Sequence, residues 1–297
     1  MTHEREAEQM PSFPFLSQQA SATAQIDLGE FAHHIRRWSL EMVHRANASH
    51  IGGALSAADI LAALYGRILK VRPEEPAWPE RDRFVMSKGH CCVGLYSALA
   101  LRGFFSTERL QRYAQPGSLL MGHASHKVPG VEWSTGSLGQ GLGLAAGQAY
   151  AGKLRNSAWR VYALLSDGEL NEGSTWEAVM FAGHHRLEKL CMVIDKNGQQ
   201  AMGVTAGILD LGAVAEKIQA FGWEACEVDG HDLDALVTAL SAPPAGKPRC
   251  VVAHTVKGKG VAYMEHNLKW HYSAPHTREL FELALEQLAQ GAQEERR

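Results

Sequence analysis

The stretch that decides the fold is Val161-Tyr162-Ala163-Leu164-Leu165-Ser166-Asp167-Gly168-Glu169, an apolar run that ends abruptly in polar turn residues. A second run, Leu190-Cys191-Met192-Val193-Ile194, ends in the same way with Asp195-Lys196-Asn197-Gly198-Gln199. Short apolar runs bounded by turn residues are typical of buried strands, and the residues between them favour a helix. Such a strand–helix–strand unit places both strand ends on one edge of a parallel sheet, where open α/β sheets bind ligands.

That edge is predicted to bring Asp167 and Asn197 together, although 30 positions separate them in the chain. A carboxylate, an amide oxygen and backbone carbonyls are the hard oxygen ligands that suit Mg²⁺ holding a diphosphate. Asp, Gly and Asn also favour ordinary turns. The spacing alone therefore leaves two alternatives open, a cofactor site and two plain strand ends.

The rest of the sequence extends the alternation of strands and helices. This pattern predicts an α/β fold, a three-layer sandwich with a mostly parallel, doubly wound sheet. We expect a flexible arm over residues 1–25 and a single domain over 26–297. A first helix is expected to end at Asn47 and Gly52-Gly53, and a second to begin with a capping box over Ser56-Ala57-Ala58-Asp59. Strands are expected near 83–86, 160–165, 190–194, 223–228 and 249–256, and further helices near 138–155, 171–186, 210–221, 232–241 and 277–290.

Composition narrows the functional classes. The chain has 297 residues, of which 45% are hydrophobic and 21% charged, and its net charge is -3. The absence of a basic excess argues against nucleic acid, and no apolar run approaches the roughly 20 residues of a membrane helix. Its five cysteines show no metal-binding spacing, which favours reduced thiols and a cytoplasmic protein.

Four further segments carry candidate chemistry, each weakly when taken alone. Ser87-Lys88-Gly89-His90 follows a strand and begins a helix, which is an anion-binding arrangement. The glycines of Ser134-Thr135-Gly136-Ser137-Leu138-Gly139-Gln140-Gly141 either let the backbone approach a ligand or let a helix pack tightly on the sheet. His50 lies in a Gly-rich loop, and Lys257-Gly258-Lys259-Gly260 is either a phosphate cradle or a solvated turn.

In order and context, these segments resemble the N-terminal half of transketolase from about residue 30 to residue 275. The family's motifs are a His in an SGHxG loop, S-x-G-H after a strand, G-H, T-G-P/S-L-G-Q-G, GDG with a later Asn, K-G-x-G and W-H. Their counterparts here are His50, His90, Gly122-His123, residues 135–141, residues 167–197, residues 257–260 and Trp270-His271. The sequence departs from the family at Ser166, which stands where the family has the first Gly of GDG.

The resemblance implies thiamin diphosphate as the cofactor, held with Mg²⁺ or with Ca²⁺ or Mn²⁺ in its place. The implied metal ligands are Asp167, Asn197 and the carbonyl of Gln199. The implied catalytic residues, which line a substrate channel, are His50, His123 and His271. The implied cofactor contacts are His50, His90, Gly136, Ser137, Leu138, Asp167, Gly168, Glu169, Asn197, Lys257 and His271. Glu172 matches a family glutamate at the interface with a partner domain.

Complete members of the family are about twice this length. The resemblance therefore implies the N-terminal subunit of a split transketolase, which transfers a ketol unit between sugar phosphates only with a C-terminal subunit that carries the pyrimidine-binding domain. An α₂β₂ assembly is expected. The alternatives are a subunit of a 1-deoxyxylulose-phosphate synthase or a 2-oxoacid dehydrogenase, and a non-catalytic binding or regulatory module.

Overall fold

The sheet has five strands, all parallel, in the order β1-β2-β3-β5-β4. The structure is a computed structural model and describes residues 26–294, so the arm expected over 1–25 lies outside the described residues. The expected α/β fold with a parallel sheet between helical layers is confirmed. The strands are β1 (Arg83–Met86), β2 (Val161–Ser166), β3 (Leu190–Lys196), β4 (Glu224–Asp229) and β5 (Arg249–His254).

Helices cover both faces of the sheet. The helices are α1 (Leu28–Ala46), α2 (Ile51–Ser56), α3 (Ala58–Ala63), α4 (Cys92–Leu101), α5 (Gly141–Leu154), α6 (Gly173–His184), α7 (Thr205–Leu209), α8 (Val214–Ala220), α9 (Leu233–Ser241) and α10 (Arg278–Glu294). One hydrophobic core contains α1–α4, α9 and α10, and the other contains α5, α6 and α8. The chain adds strands in one direction across the sheet from β1 to β4 and then returns from the edge strand β4 to β5. Because crossover connections are right-handed, this return places α9 on the opposite face of the sheet.

Strand β2 shows why the decisive run is apolar at every position. Tyr162 and Leu164 belong to one core, whereas Val161, Ala163 and Leu165 belong to the other. Successive side chains of a strand point to opposite faces, and both faces of this strand are covered. A continuous apolar run is therefore the expected sequence of a central parallel strand.

The expected capping box at Ser56 is wrong. Ser56 ends α2, and its hydroxyl donates to the Gly53 carbonyl (3.1 Å) and to Asp195 Oδ2 (2.7 Å) instead of capping a helix. Asp59 pairs with Arg36. Both polar side chains have buried partners far away in the chain, and these contacts replace the local cap.

Asn47 ends α1 as expected, with φ 47°. The expected stop at Gly52-Gly53 is wrong, because both glycines lie inside α2, where they permit close packing. A Cβ at Gly53 would lie 2.7 Å from Cys91 Sγ, and one at Gly52 would lie 3.1 Å from Lys257 Cγ. These contacts bring α2 directly against the loops that follow β1 and β5.

Four of the five cysteines are buried, and none forms a disulfide. Over residues 26–294, no helix combines the length and the apolar character that crossing a bilayer requires.

Gly183 and Gly147 give a matched test of helix packing. A Cβ at Gly183 in α6 would lie 2.0 Å from the Phe221 carbonyl oxygen, whereas one at Gly147 in α5 would meet nothing within 4 Å. We expect Gly183→Ala to lower the free energy of unfolding by about 1–3 kcal/mol, because backbone must move. Gly147→Ala should leave it unchanged or raise it by up to ~1 kcal/mol. Urea denaturation of the two variants measures both, and equal stabilities would contradict the packing described.

Candidate active site

The residues that follow β2 and β3 meet at the carboxyl edge of the sheet. Asp167 Oδ2 accepts hydrogen bonds from the Gly198 N–H (2.8 Å) and from the Thr205 hydroxyl (3.0 Å). Asn197 Oδ1 accepts from the Gln199 N–H (3.2 Å). The register of β2 on β3, with Ser166 opposite Asp195, produces this meeting. Asp167 is therefore anchored to the turn that carries Asn197 and the Gln199 carbonyl, as the spacing predicted.

The predicted metal ligands offer oxygens of three chemical kinds: a carboxylate from Asp167, an amide from Asn197 and a backbone carbonyl from Gln199. Within the described part of the chain, no three His, Cys, Asp or Glu side chains are grouped to hold a metal ion. A site with one carboxylate suits a hard cation that also takes phosphate oxygens. The donor set thus fits Mg²⁺ bound to a diphosphate.

Four histidines from separate segments gather beside this turn. His50 lies at the centre, with its ring centroid 5.1 Å from that of His90, 6.1 Å from that of His123 and 5.6 Å from that of His271. The rings of His90 and His271 are stacked at 6.3 Å. The three predicted channel histidines and His90 therefore form one cluster.

Three of the four rings in the cluster, those of His50, His90 and His271, have a lowered pKa. Burial, with the charges of His123 and Lys257, lowers the pKa of His50 to about 4. Burial and Lys257 lower the pKa of His271 to about 3, and burial and Lys88 hold the pKa of His90 well below its ordinary value. His50 Nδ1 is buried and has no hydrogen-bond partner within residues 26–294. Neutral imidazoles can both accept and donate protons, which suits a site for polyhydroxylated ligands.

Lys257 supplies a positive charge beside the histidines. Its Nζ donates to the Gln199 carbonyl (3.2 Å) and lies 2.6 Å from His271 Nδ1. Burial, followed by the charge of Lys88, lowers the pKa of Lys257 to about 8. Among the described residues, no carboxylate lies within ion-pair distance of Lys257. A buried ammonium group without a carboxylate is the arrangement that an anionic ligand would stabilise.

Two residues to which the sequence alone assigns no role lie under the site. Lys88 forms a fully buried ion pair with Asp195 and also donates to the Gly53 carbonyl (3.2 Å). Asp195 further accepts from Thr255 and from Asn197 Nδ2 (3.3 Å). Burial lowers the pKa of Lys88 and raises that of Asp195, but their mutual attraction outweighs burial, so the pKa of Lys88 is raised and that of Asp195 is lowered. The sequence does contain a signal for this pair, because Lys88 and Asp195 are charged residues at the ends of strands that are otherwise apolar.

The loop over residues 134–141 is held mainly by protein contacts. The Thr135 hydroxyl donates to the Met86 carbonyl (2.5 Å), and a Cβ at Gly141 would lie 2.1 Å from Ser87 Oγ. A Cβ at Gly136, where φ is 147°, would lie 2.5 Å from the His123 ring. Gly141 therefore lets the start of α5 pack tightly against the end of β1, and Gly136 leaves room for the His123 ring, while the contact of the Gly136 backbone with a ligand stays a prediction.

Glu169 connects two segments next to the turn after β2. It is fully buried, and one carboxylate oxygen accepts from Ser87 Oγ and from the Gly139 N–H (2.8 Å). This oxygen joins the 134–141 loop to the end of β1, whereas Oε2 is buried and has no hydrogen-bond partner among residues 26–294. A direct cofactor contact of Glu169 stays a prediction. Gly168 lies next to Gln200, since a Cβ there would approach Gln200 Cγ to 3.1 Å.

Three remaining predicted positions lie near the surface. Ser137 and Glu172 are exposed and Leu138 is half-buried, and Glu172 immediately precedes α6. Ser166, at the departure from the family motif, is buried and accepts from the Glu169 N–H (3.3 Å). Its hydroxyl therefore points into the turn that follows β2.

A parallel α/β fold with a buried lysine and a histidine cluster at the carboxyl edge of its sheet is the kind expected of a diphosphate-binding domain. Comparison with known proteins gives its family. The family model described as "Transketolase, thiamine diphosphate binding domain" matches residues 29–288. The chain belongs to this family and binds thiamin diphosphate. The transketolase structure from Campylobacter jejuni is similar, with a TM-score of 0.83 and 35% identity over 88% of this chain and 42% of that one.

Two relatives match this chain over nearly their whole length. An apulose-4-phosphate transketolase subunit of Phocaeicola vulgatus is 40% identical over 86% of this chain and 91% of its own. A 6-deoxy-6-sulfo-D-fructose transketolase subunit of a Clostridium species is 41% identical over 89% of this chain and 97% of its own. Human transketolase is 38% identical, but the match spans only 39% of its length. The chain thus belongs to the transketolases, transferases of ketol groups, and it matches proteins named as single subunits of such enzymes over nearly their whole length.

The buried pair of Lys88 and Asp195 yields a stability prediction. We expect Asp195→Ala to lower the free energy of unfolding by about 3–5 kcal/mol, because Lys88 would remain buried without its counter-charge. The double variant Lys88→Met with Asp195→Leu should lose less, since neither charge then remains. Urea denaturation followed by circular dichroism measures both, and a single variant no less stable than the double one would contradict the prediction.

Proposed function

We propose that this chain holds the diphosphate end of thiamin diphosphate and transfers ketol units together with a separate subunit that carries the pyrimidine-binding domain. The observation that carries the proposal is the convergence of Asp167, Lys257 and the cluster of His50, His90, His123 and His271 at one edge of the sheet. Plain strand ends would have no need of a buried ammonium group and four clustered imidazoles at one place.

The cofactor supplies the carbanion and the electron sink of the reaction when it is bound. On the protein side, Asp167, Asn197 and the Gln199 carbonyl would hold a divalent cation, and Lys257 would neutralise a diphosphate oxygen. Lys257 is suited to this because a negative ligand offsets the cost of its burial, and diphosphate binding would raise its pKa from about 8. His90 and the backbone of Gly136, Ser137 and Leu138 would contact the remaining surface of the cofactor.

The histidines provide the proton chemistry. His50, His123 and His271 would hydrogen-bond the hydroxyl groups of the sugar and move protons between them. The lowered pKa values of His50 and His271 keep both rings neutral near pH 7. Because His271 Nδ1 accepts from the Lys257 ammonium, the other nitrogen of His271 carries the proton and can donate to a sugar hydroxyl. His50 Nδ1 has no hydrogen-bond partner among residues 26–294 and is available to a hydroxyl group in the centre of the cluster.

The substrate class follows from the two relatives of matching length. Their names give apulose 4-phosphate and 6-deoxy-6-sulfo-D-fructose as substrates, each a ketose with an anionic group distant from the carbonyl. We place this chain with enzymes that act on such anionic ketoses and pass the ketol unit to an aldose phosphate. The activities to compare are therefore those toward a phosphorylated ketose donor and toward a sulfonated one.

The partner surface is assigned to α5 and α6. Gly143 and Gly147 leave open space on α5, where an added Cβ would meet nothing within 4 Å. Beside them on α6, the exposed fractions of Met180 and Phe181 are 49% and 39%. Small residues next to exposed apolar side chains favour close helix packing against another chain. With Glu172 at the start of α6, this face would meet the partner in a cytoplasmic α₂β₂ assembly related by a two-fold axis.

Removal of the carboxylate tests the cofactor assignment. In the complex reconstituted with the partner subunit, we expect Asp167→Ala to abolish Mg²⁺-dependent binding of thiamin diphosphate, because the diphosphate loses its charged metal ligand. Isothermal calorimetry with Mg²⁺ and with EDTA measures the binding. Wild-type affinity within a few-fold in the variant would overturn the assignment of Asp167.

The histidine substitutions separate binding from chemistry. We expect His123→Ala and His271→Ala to lower kcat/KM for ketol transfer by roughly ten- to ten-thousand-fold, the range for lost acid–base or orienting groups. Cofactor affinity should stay close to that of the wild type, because Asp167, Asn197 and Lys257 remain in both variants. Steady-state assays with a phosphorylated and a sulfonated ketose measure the loss. Near-normal kcat/KM in both variants would show that these histidines are structural.

A further inference from the structure

A second polar cluster lies behind the site and includes none of the proposed cofactor ligands. Arg36 of α1 pairs with Asp59 of α3, and Arg36 Nε donates to the Leu55 carbonyl (3.2 Å). His231, in the turn after β4, places Nδ1 2.6 Å from the same Asp59 oxygen. Arg36 and Asp59 are each 6% exposed, so their charges can be offset only by this network.

The second nitrogen of His231 points to the loop that carries Lys257. The backbone N–H of Val256 donates to His231 Nε2 at 2.9 Å. A backbone N–H can only donate, so Nε2 must carry no proton, and the proton of the neutral ring lies on Nδ1, facing Asp59. The position of Asp59 thus fixes the tautomer that the Val256 amide requires.

Val256 directly precedes Lys257, and the loop around them is tightly packed. The Gly258 N–H donates to the Gly52 carbonyl (3.0 Å), and the Gly230 N–H donates to the His254 carbonyl (2.7 Å). A Cβ at Gly230 would lie 2.4 Å from the Thr255 side chain, so the turn of His231 rests against the start of the loop. Between these two points, the Val256 carbonyl accepts from the Lys259 N–H within the loop (3.1 Å), and the bond to His231 is the one that ties the Val256 N–H to another segment.

We propose that His231 is a positioning residue for Lys257, acting through the Val256 amide. The chain of contacts runs from Arg36 through Asp59 and His231 to Val256, and it ties the backbone that carries the Lys257 ammonium to α1 and α3. The role of Lys257 toward a diphosphate rests on the proposed function, whereas the hydrogen bonds of His231 do not.

Two substitutions separate the roles of the two ring nitrogens of His231, because each keeps one of its hydrogen bonds and removes the other. In His231→Asn, the amide can occupy the place of Nδ1 and donate to Asp59, but nothing reaches the Val256 N–H. In His231→Gln, the longer side chain can place its oxygen where Nε2 accepts from Val256. His254→Asn is the matched control, because His254 lies at the same edge of the sheet and its side chain contacts only the exposed Glu227 carboxylate (2.5 Å).

The first measurement uses this full-length chain alone. We expect amide hydrogen exchange at Val256 and Lys257 to accelerate at least tenfold in His231→Asn, and to stay near the wild-type rate in His231→Gln and His254→Asn. Exchange that is unchanged in His231→Asn would overturn the proposal, because the loop would then be held without His231.

The second measurement uses the complex with its partner subunit, with Mg²⁺ and thiamin diphosphate as the titrant. We expect the Kd of the cofactor to rise about ten- to a hundredfold in His231→Asn, the range for groups that orient a direct ligand. His231→Gln and His254→Asn should stay within about threefold, and kcat of His231→Asn at saturating cofactor should approach the wild-type value. Equal losses in the Asn and Gln variants, or a loss confined to kcat, would overturn the proposal.

Lys257→Met separates this inference from the proposed function. A weakened Kd in Lys257→Met together with an unchanged Kd in His231→Asn would overturn the role of His231 and leave the cofactor site standing. An unchanged Kd in Lys257→Met would instead remove Lys257 from the cofactor site, and the positioning role would fall with it.

Discussion

The ion pair between Lys88 and Asp195 is the contact on which the site depends. It joins the end of β1 to the end of β3 in full burial, and through Ser56 and Thr255 it also reaches α2 and the loop after β5. Two charges in this environment are stable only when they are paired and hydrogen-bonded. The pair therefore links the ends of β1, β3 and β5 beneath Asn197 and Lys257, and the backbone register of β2 on β3 places Asp167 beside them.

The sheet and the site edge could be predicted because their signals are local and periodic. Apolar runs such as 161–165 and 190–194 are long enough to identify buried strands, and the chirality of crossovers then places Asp167 beside the turn of Asn197. The roles of the individual histidines could not be read in this way. They came from the resemblance to transketolase, and the structure adds that His50, His90, His123 and His271 lie together.

The expectations that failed or were missing involve contacts with distant parts of the chain. Ser56 looked like a helix cap but bonds Asp195, which lies 139 residues away. Gly52 and Gly53 looked like a helix stop but pack α2 against Lys257 and Cys91. The pair of Lys88 and Asp195 is separated by 107 residues, so no window of sequence contains it. Contacts of this kind appear only once the fold is known.

The low pKa values of His50 and His271 have a consequence for how an anionic ligand first meets the site. With pKa values of about 4 and 3, these two rings stay largely neutral from pH 5 to pH 7 and add almost nothing to the electric field there. The positive potential comes from the lysines, and Lys88 is already balanced by Asp195. Lys257, whose pKa is about 8, supplies the charge that is lost as the pH rises. Before a divalent cation is bound, the first attraction of an anion to this site therefore depends on one ammonium group.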